Sequence, residues 1–563
     1  MQKTGAQILC ESLIREGVEV IFGFPGGVVL PLYDTLPQYP QIRHILVRHE
    51  QGAAHAADGY ARATGKAGVC LATSGPGATN LVTGIANACL DSSPVVAITG
   101  QVARPFIGKD AFQEIDITGI TLPITKHNHL VQSAKDIAMV VKEAFYIAQT
   151  GRPGPVLIDI PRDVFQEKAD FVYPDKVDLP GYKPILFGHP TQVKKAAELI
   201  NGAESPIIIA GRGVIISKAF AELKELAEKA QIPVITTLLG IGCFPETHVL
   251  SFGMLGMHGM TYANKAVDSA DTIIAIGMRF DDRATGSVGV FAPKARIVHI
   301  DIDPAEIGKN VRVDVPIVGD IKNVLGALNE QITPREHIDW FHQLDQWRQE
   351  HPAIEIRESE GLLPQYVIRQ IYEVTQGDAT IVTGVGQNQM WSAQFFFYNK
   401  PNSLISSGGL GTMGFELPGS IGVKVGCPDE TVWCIAGDGG FQMTIQELAT
   451  VVQENLAIKI AIINNGYLGM VRQWQELFYG RRYVGTRLYG PDFVKIAEAY
   501  GITASRVKDK REVTSAIEKA MEHEGPYLID FIVEPEENVF PIVPPGASLV
   551  EAIEMPRPET VSR

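Results

Sequence analysis

Short runs of consecutive apolar residues, rich in Val and Ile, constrain the fold of this chain more than any other feature. Each run is closed by turn-forming residues and followed by a helical pattern; the runs are 68–77, 94–100, 155–161, 206–213, 271–280, 296–304, 431–440 and 458–466. Strands that are apolar throughout are covered on both faces, and strands that alternate with helices form parallel sheets. Half-exposed antiparallel strands would instead alternate apolar and polar residues. The sequence therefore predicts an α/β fold built from doubly wound parallel sheets.

The length of the chain predicts several such sheets. A chain of 563 residues is too long for one core, and domains of about 150–200 residues suggest roughly three. Two polar stretches with little periodicity, 163–190 and 345–364, read as linkers. The predicted domains are therefore 1–165, 190–335 and 360–540, followed by a tail at 541–563.

Charge and cysteine content exclude several classes of function. The net charge of −15 repels polyphosphate, so nucleic acid is not an expected partner, and an anionic substrate would need a local cluster of Arg or Lys. Six cysteines without CxxC or zinc-type spacing predict free thiols in a reducing compartment. No secretory signal or apolar run of about 18 residues is apparent, which predicts a cytoplasmic protein without membrane contact.

Two strand ends carry the clearest chemical signal. Asp438 lies between Gly437 and Gly439 after one apolar run, and Asn464-Asn465 end the next. Because ligands gather at the carboxyl ends of parallel strands, Asp438 and Asn465 are predicted to face one point. Carboxylate, amide and backbone oxygens suit Mg²⁺, and the glycines let phosphate approach closely. A simple Asp-Gly turn is the alternative if this motif is taken alone.

This pair of strand ends resembles the metal site of thiamine-diphosphate enzymes, and other segments extend the resemblance over nearly the whole chain. The segments FGFPGG (22–27), RHEQGA (48–53), TSGPGATN (73–80), DAFQE (110–114), GMRFDDR (277–283), GTMGFELPG (411–419) and MVRQWQ (470–475) look like those of acetohydroxyacid (acetolactate) synthase catalytic subunits. The resemblance implies three domains of the thiamine-diphosphate-enzyme type: pyrimidine-binding, FAD-binding and diphosphate-binding. It also implies decarboxylation of pyruvate and transfer of the two-carbon unit to pyruvate or 2-ketobutyrate, the first common step of valine, leucine and isoleucine synthesis.

The same resemblance assigns residues to the cofactor. Glu50 would hydrogen-bond the aminopyrimidine ring and activate the cofactor, with a simple first-turn helix residue as the alternative. Gly27 and Gln113 would line the reacting centre. Asp438, Asn465 and the carbonyl of Tyr467 would ligate Mg²⁺. The remaining thiamine diphosphate contacts would be Gln387, Asn388, Met413, Gly437 and Gly439. The family usually has His at the position of Asn388 and Lys at that of Arg162.

Flavin and substrate contacts follow from the resemblance as well. A structural, non-redox FAD would be bound by Arg152, His258, Gly277, Arg279, Asp301 and Asp320. Arg283 would hold the carboxylate of the acceptor, Trp474 would favour 2-ketobutyrate, and Phe112 would be a third substrate contact. An ion pair of Arg283 with Asp281 or Asp282, and ordinary packing of Trp474, are the alternatives.

The implied partners are further copies of the chain and a small regulatory subunit. In such enzymes the domains that carry Glu50 and Asp438 meet across a subunit boundary, so a homodimer or a dimer of dimers is expected. The helix that follows Glu50 contains Ala53, Ala54, Ala56 and Ala57 and is predicted to pack at a subunit contact. The competing functions are a pyruvate oxidase, a simple decarboxylase, and a non-catalytic paralogue, which the intact Glu50 and Asp438 disfavour.

Overall fold

The computed structural model describes residues 2–352 and 354–556, so residues 557–563 of the predicted tail lie outside the described residues. Within this part, three six-stranded parallel sheets flanked by helices follow one another along the chain, as the α/β prediction requires. In each sheet the strand order reverses between two central strands, and parallel sheets bind ligands in the crevice at such a reversal.

The first sheet has the strand order β3-β2-β4-β5-β7-β6. Alternate residues of β5 face different cores: Val95 and Ala97 face a core shared with the third sheet, whereas Val96 and Ile98 face the opposite core. The strands are β1 Gln2–Thr4, β2 Val20–Gly23, β3 Arg43–Leu46, β4 Gly68–Ala72, β5 Val95–Gln101, β6 His127–Leu130, β7 Val156–Pro161 and β8 Lys168–Asp170, and the helices are α1 Gly5–Arg15, α2 Leu30–Thr35, α3 Glu50–Thr64, α4 Pro76–Asn80, α5 Val82–Leu90, α6 Ile117–Thr121, α7 Ile137–Gln149 and α8 Arg162–Gln166.

The second sheet has the order β11-β10-β9-β12-β13-β14 and reverses between β9 and β12. The described part of the tail packs on this domain through Val543 and Leu549. The strands are β9 Pro206–Ala210, β10 Val234–Thr236, β11 Ser251–Met254, β12 Thr272–Ile276, β13 Arg296–Asp301 and β14 Val315–Val318, and the helices are α9 Pro190–Gly202, α10 Arg212–Ser217, α11 Phe220–Ala230, α12 Thr261–Ser269, α13 Asp282–Thr285, α14 Ile321–Asn329 and α15 Ile338–Glu350.

The third sheet has the order β16-β15-β17-β18-β20-β19 and reverses between β15 and β17. The strands are β15 Thr380–Thr383, β16 Leu404–Ser406, β17 Val432–Gly437, β18 Ile458–Asn464, β19 Thr503–Val507 and β20 Tyr527–Ile532, and the helices are α16 Pro364–Thr375, α17 Gln387–Phe395, α18 Glu416–Gly426, α19 Asp438–Met443, α20 Leu448–Gln453, α21 Gly469–Phe478, α22 Phe493–Ala499 and α23 Val513–Glu522.

Both predicted linkers contain regular structure at their starts. In the first, β8 pairs antiparallel with β1. The second was expected from residue 345, but residues 345–350 belong to α15, whose Trp340 and Leu344 are buried in the second domain. The Trp340 indole also donates a hydrogen bond to the Pro206 carbonyl at 3.2 Å. Most residues of α15 are polar and only a narrow face of the helix is apolar, so its sequence resembles that of a linker.

The small residues of α3 pack within the chain and not at a subunit contact, so that prediction was wrong. Ala53, Ala54 and Ala56 are fully buried in the single chain. A Cβ built on Gly59 would lie 2.2 Å from the carbonyl oxygen of Gly419 in α18, and one built on Gly422 would lie 1.9 Å from that of Ala56. The two helices therefore touch backbone to backbone.

Among the described helices, none has the length and apolarity that crossing a bilayer requires. All six cysteines are free thiols; Cys89 and Cys427 are half-buried and the others are buried.

We expect Gly422→Ala to lower the free energy of unfolding by about 3 kcal/mol or more, because the new methyl group overlaps the backbone of α3. Gly326→Ala in α14 is the matched control: a Cβ there meets nothing within 4 Å, so a gain of about 0.5–1 kcal/mol is expected. Urea unfolding followed by circular dichroism measures both. Equal stability of Gly422→Ala and wild type would contradict the described packing.

Candidate active site

The ends of β17 and β18 lie side by side, with Gly437 paired to Ile463. Asp438 follows β17 and is 2 % exposed. Burial raises the pKa of Asp438 to about 7, while hydrogen bonds from the backbone N–H groups of Gly466 and Gly439 act in the opposite direction. Its Oδ2 atom is buried and has no hydrogen-bond partner among the described residues. A buried carboxylate oxygen without a partner is costly unless a ligand satisfies it.

Asn465 is held beside Asp438 by a network of amides. Its Nδ2 donates to Gln387 Oε1 at 3.0 Å, and its Oδ1 accepts the N–H of Tyr467 at 3.1 Å. Gln387 in turn donates to the Gln473 side chain and to the Glu537 carbonyl. The network fixes which way the Asn465 carbonyl points.

The donor set at this point suits a hard cation. Among the described residues there is no group of three or more His, Cys, Asp or Glu side chains that could hold a metal ion. The Asp438 carboxylate and the Asn465 amide oxygen instead offer few, oxygen-only protein ligands. Mg²⁺ is bound in this way when ligand phosphates and water complete its octahedral shell.

A small cavity of about 60 Å³ lies at the reversal of the third sheet and is lined, among others, by Gln387, Asn388, Met413, Gly437, Asp438, Gly439, Asn465 and Tyr467. A Cβ built on Gly439 would lie 3.6 Å from Met413 Cε, and one on Gly437 would lie 3.4 Å from Asn388 Oδ1. Asn388 Nδ2 donates to the Ile435 carbonyl at 3.1 Å. The cavity thus combines a glycine-lined wall with the partnerless oxygen of Asp438, which fits a metal-bound diphosphate.

A second group of predicted residues collects at the strand ends of the first sheet. Glu50 begins α3, is 8 % exposed, and accepts a hydrogen bond from Asn80 Nδ2 at 2.9 Å. Gly27 follows β2, and a Cβ on it would meet nothing within 4 Å. Gln113 adopts φ +59°, and its Cα would lie 3.0 Å from a Cβ built on Gly75.

The single chain does not join these two groups. Among the described residues that line the small cavity, all come from the third domain. Glu50, Gly27, Gln113 and Phe112 line neither that cavity nor the larger one described next. Phe112 is 88 % exposed. The two halves of the predicted site therefore share no cavity within the single chain.

A larger cavity of about 760 Å³ begins at the reversal of the second sheet and adjoins the small cavity through the shared residues Val385, Gly386 and Met470. Its lining includes all six residues predicted to bind FAD: Arg152, His258, Gly277, Arg279, Asp301 and Asp320. Burial raises the pKa of Asp301 to about 6 and lowers that of His258 to about 4. The volume is in the range of ordinary ligand sites.

Arg283 and Trp474 meet in the wall of this cavity. The Arg283 guanidinium lies 5.9 Å from the centre of the Trp474 indole and forms an exposed ion pair with Asp282 at 3.2 Å. Trp474 packs edge-on against Phe478, but its indole N–H is buried without a partner among the described residues. The ion pair of Arg283 and the packing of Trp474, which were the alternatives to substrate binding, therefore both occur. Both side chains also line the cavity. Arg162 lies at the exposed start of α8.

Glu447 is a buried residue of this region that the sequence analysis missed. It is fully buried, and its Oε1 accepts the N–H groups of Arg48 and His49 at 3.0 Å each. These bonds fix the start of α3 immediately before Glu50. The stretch 445–451 mixes apolar and polar residues at helical spacing, so its one acid is expected on the polar face of an ordinary amphipathic helix.

Three family models match the chain, and together they define a thiamine pyrophosphate enzyme. They are the N-terminal TPP binding domain at residues 3–120, the central domain at 193–328 and the C-terminal TPP binding domain at 384–531.

Curated relatives show to which family of thiamine pyrophosphate enzymes the chain belongs. The chain is 53 % identical to the acetolactate synthase large subunit of Mycobacterium tuberculosis over 97 % of this chain and 91 % of the relative. Identity is 52 % to the Corynebacterium glutamicum large subunit, covering 97 % and 89 % of the two chains. It is 51 % to the probable large subunit of Methanocaldococcus jannaschii, covering 99 % and 96 %. The chain belongs to the acetolactate synthase large-subunit family, as its sequence motifs predicted.

We expect Asp438→Asn to abolish the stabilisation by Mg²⁺ and thiamine diphosphate, because the neutral amide cannot replace the buried anionic ligand. Ligands at about 100 times Kd raise the free energy of unfolding of a binding protein by about 2.7 kcal/mol. Thermal unfolding with and without both ligands measures this effect. Asp429→Asn, at an exposed position before β17, should keep the full shift. A full shift in Asp438→Asn would contradict the assignment.

Proposed function

We propose that this chain is an acetolactate synthase that converts two pyruvate molecules into acetolactate and CO₂, or pyruvate and 2-ketobutyrate into acetohydroxybutyrate and CO₂. The observation that carries the proposal is the pair of strand ends at Asp438 and Asn465, with a buried carboxylate oxygen that lacks a partner. Membership of the acetolactate synthase family supports the choice of reaction among thiamine enzymes.

The third domain would hold the metal and the diphosphate. Asp438, Asn465 and the carbonyl of Tyr467 would bind Mg²⁺, while Gly437 and Gly439 leave room for phosphate. Gln387, Asn388 and Met413 would line the cofactor. Asn388 can donate a hydrogen bond but carries no charge, unlike a protonated His. Bound thiamine diphosphate would supply the electron sink on which pyruvate loses CO₂.

The first domain would supply the proton-handling side of the site. Glu50 would share a proton with the aminopyrimidine ring, and the hydrogen bond from Asn80 holds its carboxylate in place. Gly27 and Gln113 would line the reacting carbon with a backbone and a side-chain amide, which stabilise developing charge without acting as competing bases.

The acceptor would bind between Arg283 and Trp474. Arg283 carries the local positive charge that an acidic protein needs to attract a keto acid, and its ion pair with Asp282 is exposed and hence weak. The Trp474 indole can favour an extra methyl group by about 1–3 kcal/mol. Phe112, exposed in the single chain, would cover the substrate from the first domain.

We further propose that FAD occupies the larger cavity through Arg152, His258, Gly277, Arg279, Asp301 and Asp320. The cavity volume and the position at a sheet reversal fit a dinucleotide. The proposed reaction consumes and releases no electrons, so the flavin would have a structural role.

The separation of the two halves within one chain supports a homodimer, alone or paired into a dimer of dimers, in which Glu50 of one protomer would serve the metal site of its partner. Large apolar side chains are exposed on the first domain, which carries Glu50: Leu30, Phe106, Phe112 and Leu122. Exposed apolar patches of this kind mark interaction surfaces. Because the relatives are named large subunits, a separate small regulatory subunit completes the proposal.

Product analysis tests the reaction. With Mg²⁺, thiamine diphosphate and FAD, pyruvate should yield acetolactate and CO₂, and added 2-ketobutyrate should yield acetohydroxybutyrate. Glu50→Gln should lower kcat by about 100-fold or more, the contribution of a general acid or base, whereas the exposed Glu522→Gln should be unchanged. Acetaldehyde as the product would instead identify a decarboxylase, and anaerobic flavin reduction an oxidase.

Mixed dimers test the shared site. Glu50→Gln and Asp438→Asn chains carrying different tags are coexpressed, and the heterodimer is purified. If each site combines both protomers, one site carries both substitutions and the other carries neither, so about half of the wild-type activity returns. A site within one chain would leave the heterodimer inactive. Coexpression of two differently tagged Glu50→Gln chains is the inactive control.

A further inference from the structure

Arg212 begins α10 directly after β9, beside the point where the strand order of the second sheet reverses between β9 and β12. The loops after these strands touch: Gly211 and Gly213 donate backbone hydrogen bonds to the carbonyls of Ile276 and Gly277 at 2.8 and 3.0 Å. A Cβ built on Gly213 would lie 2.6 Å from the Gly277 Cα. Arg212 is the large side chain between these glycines, and it lines the larger cavity.

Arg212 is a cation without a carboxylate partner. The other three arginines of the cavity wall are paired: Arg152 with Glu306 at 2.6 Å, Arg279 with Asp281 at 3.8 Å and Arg283 with Asp282 at 3.2 Å. Among the described residues, no carboxylate oxygen lies within 4.0 Å of Arg212. Its Nη2 donates to Ser93 Oγ at 3.1 Å, and its buried Nε has no partner.

The acids nearest to Arg212 are Asp58 and Asp91, and both already have other hydrogen-bond and ion-pair partners. Arg62 binds both of them, with Nε 2.7 Å from Asp58 and Nη2 2.6 Å from Asp91. Asp58 also accepts a hydrogen bond from Asn87, and Asp91 accepts the backbone N–H of Gly409. Burial, with the nearby Arg62 charge, lowers the pKa of Arg212 to about 9. A half-buried cation with a buried, partnerless Nε is stabilised by an anion that enters the cavity.

We propose that the Arg212 guanidinium binds the diphosphate of the flavin dinucleotide, an inference that rests on the proposed occupancy of this cavity by FAD. The glycines on either side let the loop of Gly277 pack closely against this turn, and the planar guanidinium of Arg212 offers two parallel N–H donors to phosphate oxygens. None of the residues assigned to FAD by resemblance supplies an unpaired positive charge. Arg212 is thus an additional binding residue.

Flavin titration tests the proposal. The apo form of wild type, Arg212→Met, Arg212→Lys and the control Lys218→Met is titrated with FAD, and the quenching of flavin fluorescence gives Kd. Lys218 is a nearby cation that does not line the cavity. Arg212→Met should weaken FAD binding by about 10- to 100-fold, the loss expected for a hydrogen bond to a charged group. The Kd of Arg212→Lys for FAD should lie between those of wild type and Arg212→Met, and the Kd of Lys218→Met should equal that of wild type.

Riboflavin, which lacks phosphate, is the second probe. Its affinity should be the same for wild type and Arg212→Met, because only the phosphate contact differs. Equal FAD affinities of these two proteins, or a parallel loss of FAD and riboflavin binding, would overturn the proposal. Circular dichroism shows whether Arg212→Met is folded. If it is not, the FAD and riboflavin affinities of Arg212→Lys are compared with those of wild type in its place.

Inorganic pyrophosphate separates failure of this inference from failure of the flavin assignment. If wild type binds no FAD, the flavin part of the proposed function fails, and pyrophosphate is titrated calorimetrically in its place. Binding that Arg212→Met weakens and Lys218→Met retains would still identify an anion site at Arg212. No binding by wild type, or binding independent of Arg212, would overturn it.

Discussion

The direct backbone contact of α3 with α18 is the constraint on which the rest of this structure depends. Gly59 and Gly422 remove the side chains that would separate the helices, and Glu447 ties the start of α3 to the third domain. The contact gives the first and third sheets one continuous core. It also fixes the direction of Glu50, whose half of the site does not open into the cavity of Asp438. In the proposed homodimer, Glu50 of one protomer would complete the metal site of its partner, and the exposed apolar side chains of the first domain would lie near that contact.

Each cavity contains at least one buried polar atom that has no hydrogen-bond partner in the described part of the chain. Asp438 Oδ2 lies in the small cavity, and Arg212 Nε and the Trp474 indole N–H lie at the larger one. Folding rarely leaves such atoms unpaired, because each costs about 1–3 kcal/mol. The placement of Asp438 and Arg212 at the sheet reversals connects the topology to the chemistry. Neither forms an ion pair within the described residues, so each is suited to bind a ligand of opposite charge.

The sequence predicted the fold and the family well, because apolar runs and glycine-rich strand ends are local signals. The polar outer face of α15 hid a helix that only the burial of Trp340 reveals. The alanines of α3 were correctly seen as a packing surface, but sequence carries no information about which copy of α18 they meet. Glu447 and Arg212 escaped notice for the same reason, since their roles depend on partners hundreds of residues away or on the absence of a partner. The roles of the individual site residues remain predictions.

The long-range bonds of Glu447 have a consequence for synthesis. The residue lies 399 positions after Arg48, and a ribosome that adds about 5–20 residues per second needs roughly 20–80 s to bridge that interval. During this time the first domain has emerged, but the backbone N–H groups of Arg48 and His49 lack their bonds to Glu447. The face of α3 that packs on α18 is still exposed to solvent. The nascent chain therefore exposes the face of α3 that later packs on α18 until the third domain has been synthesised. Molecular chaperones can bind this face during that interval.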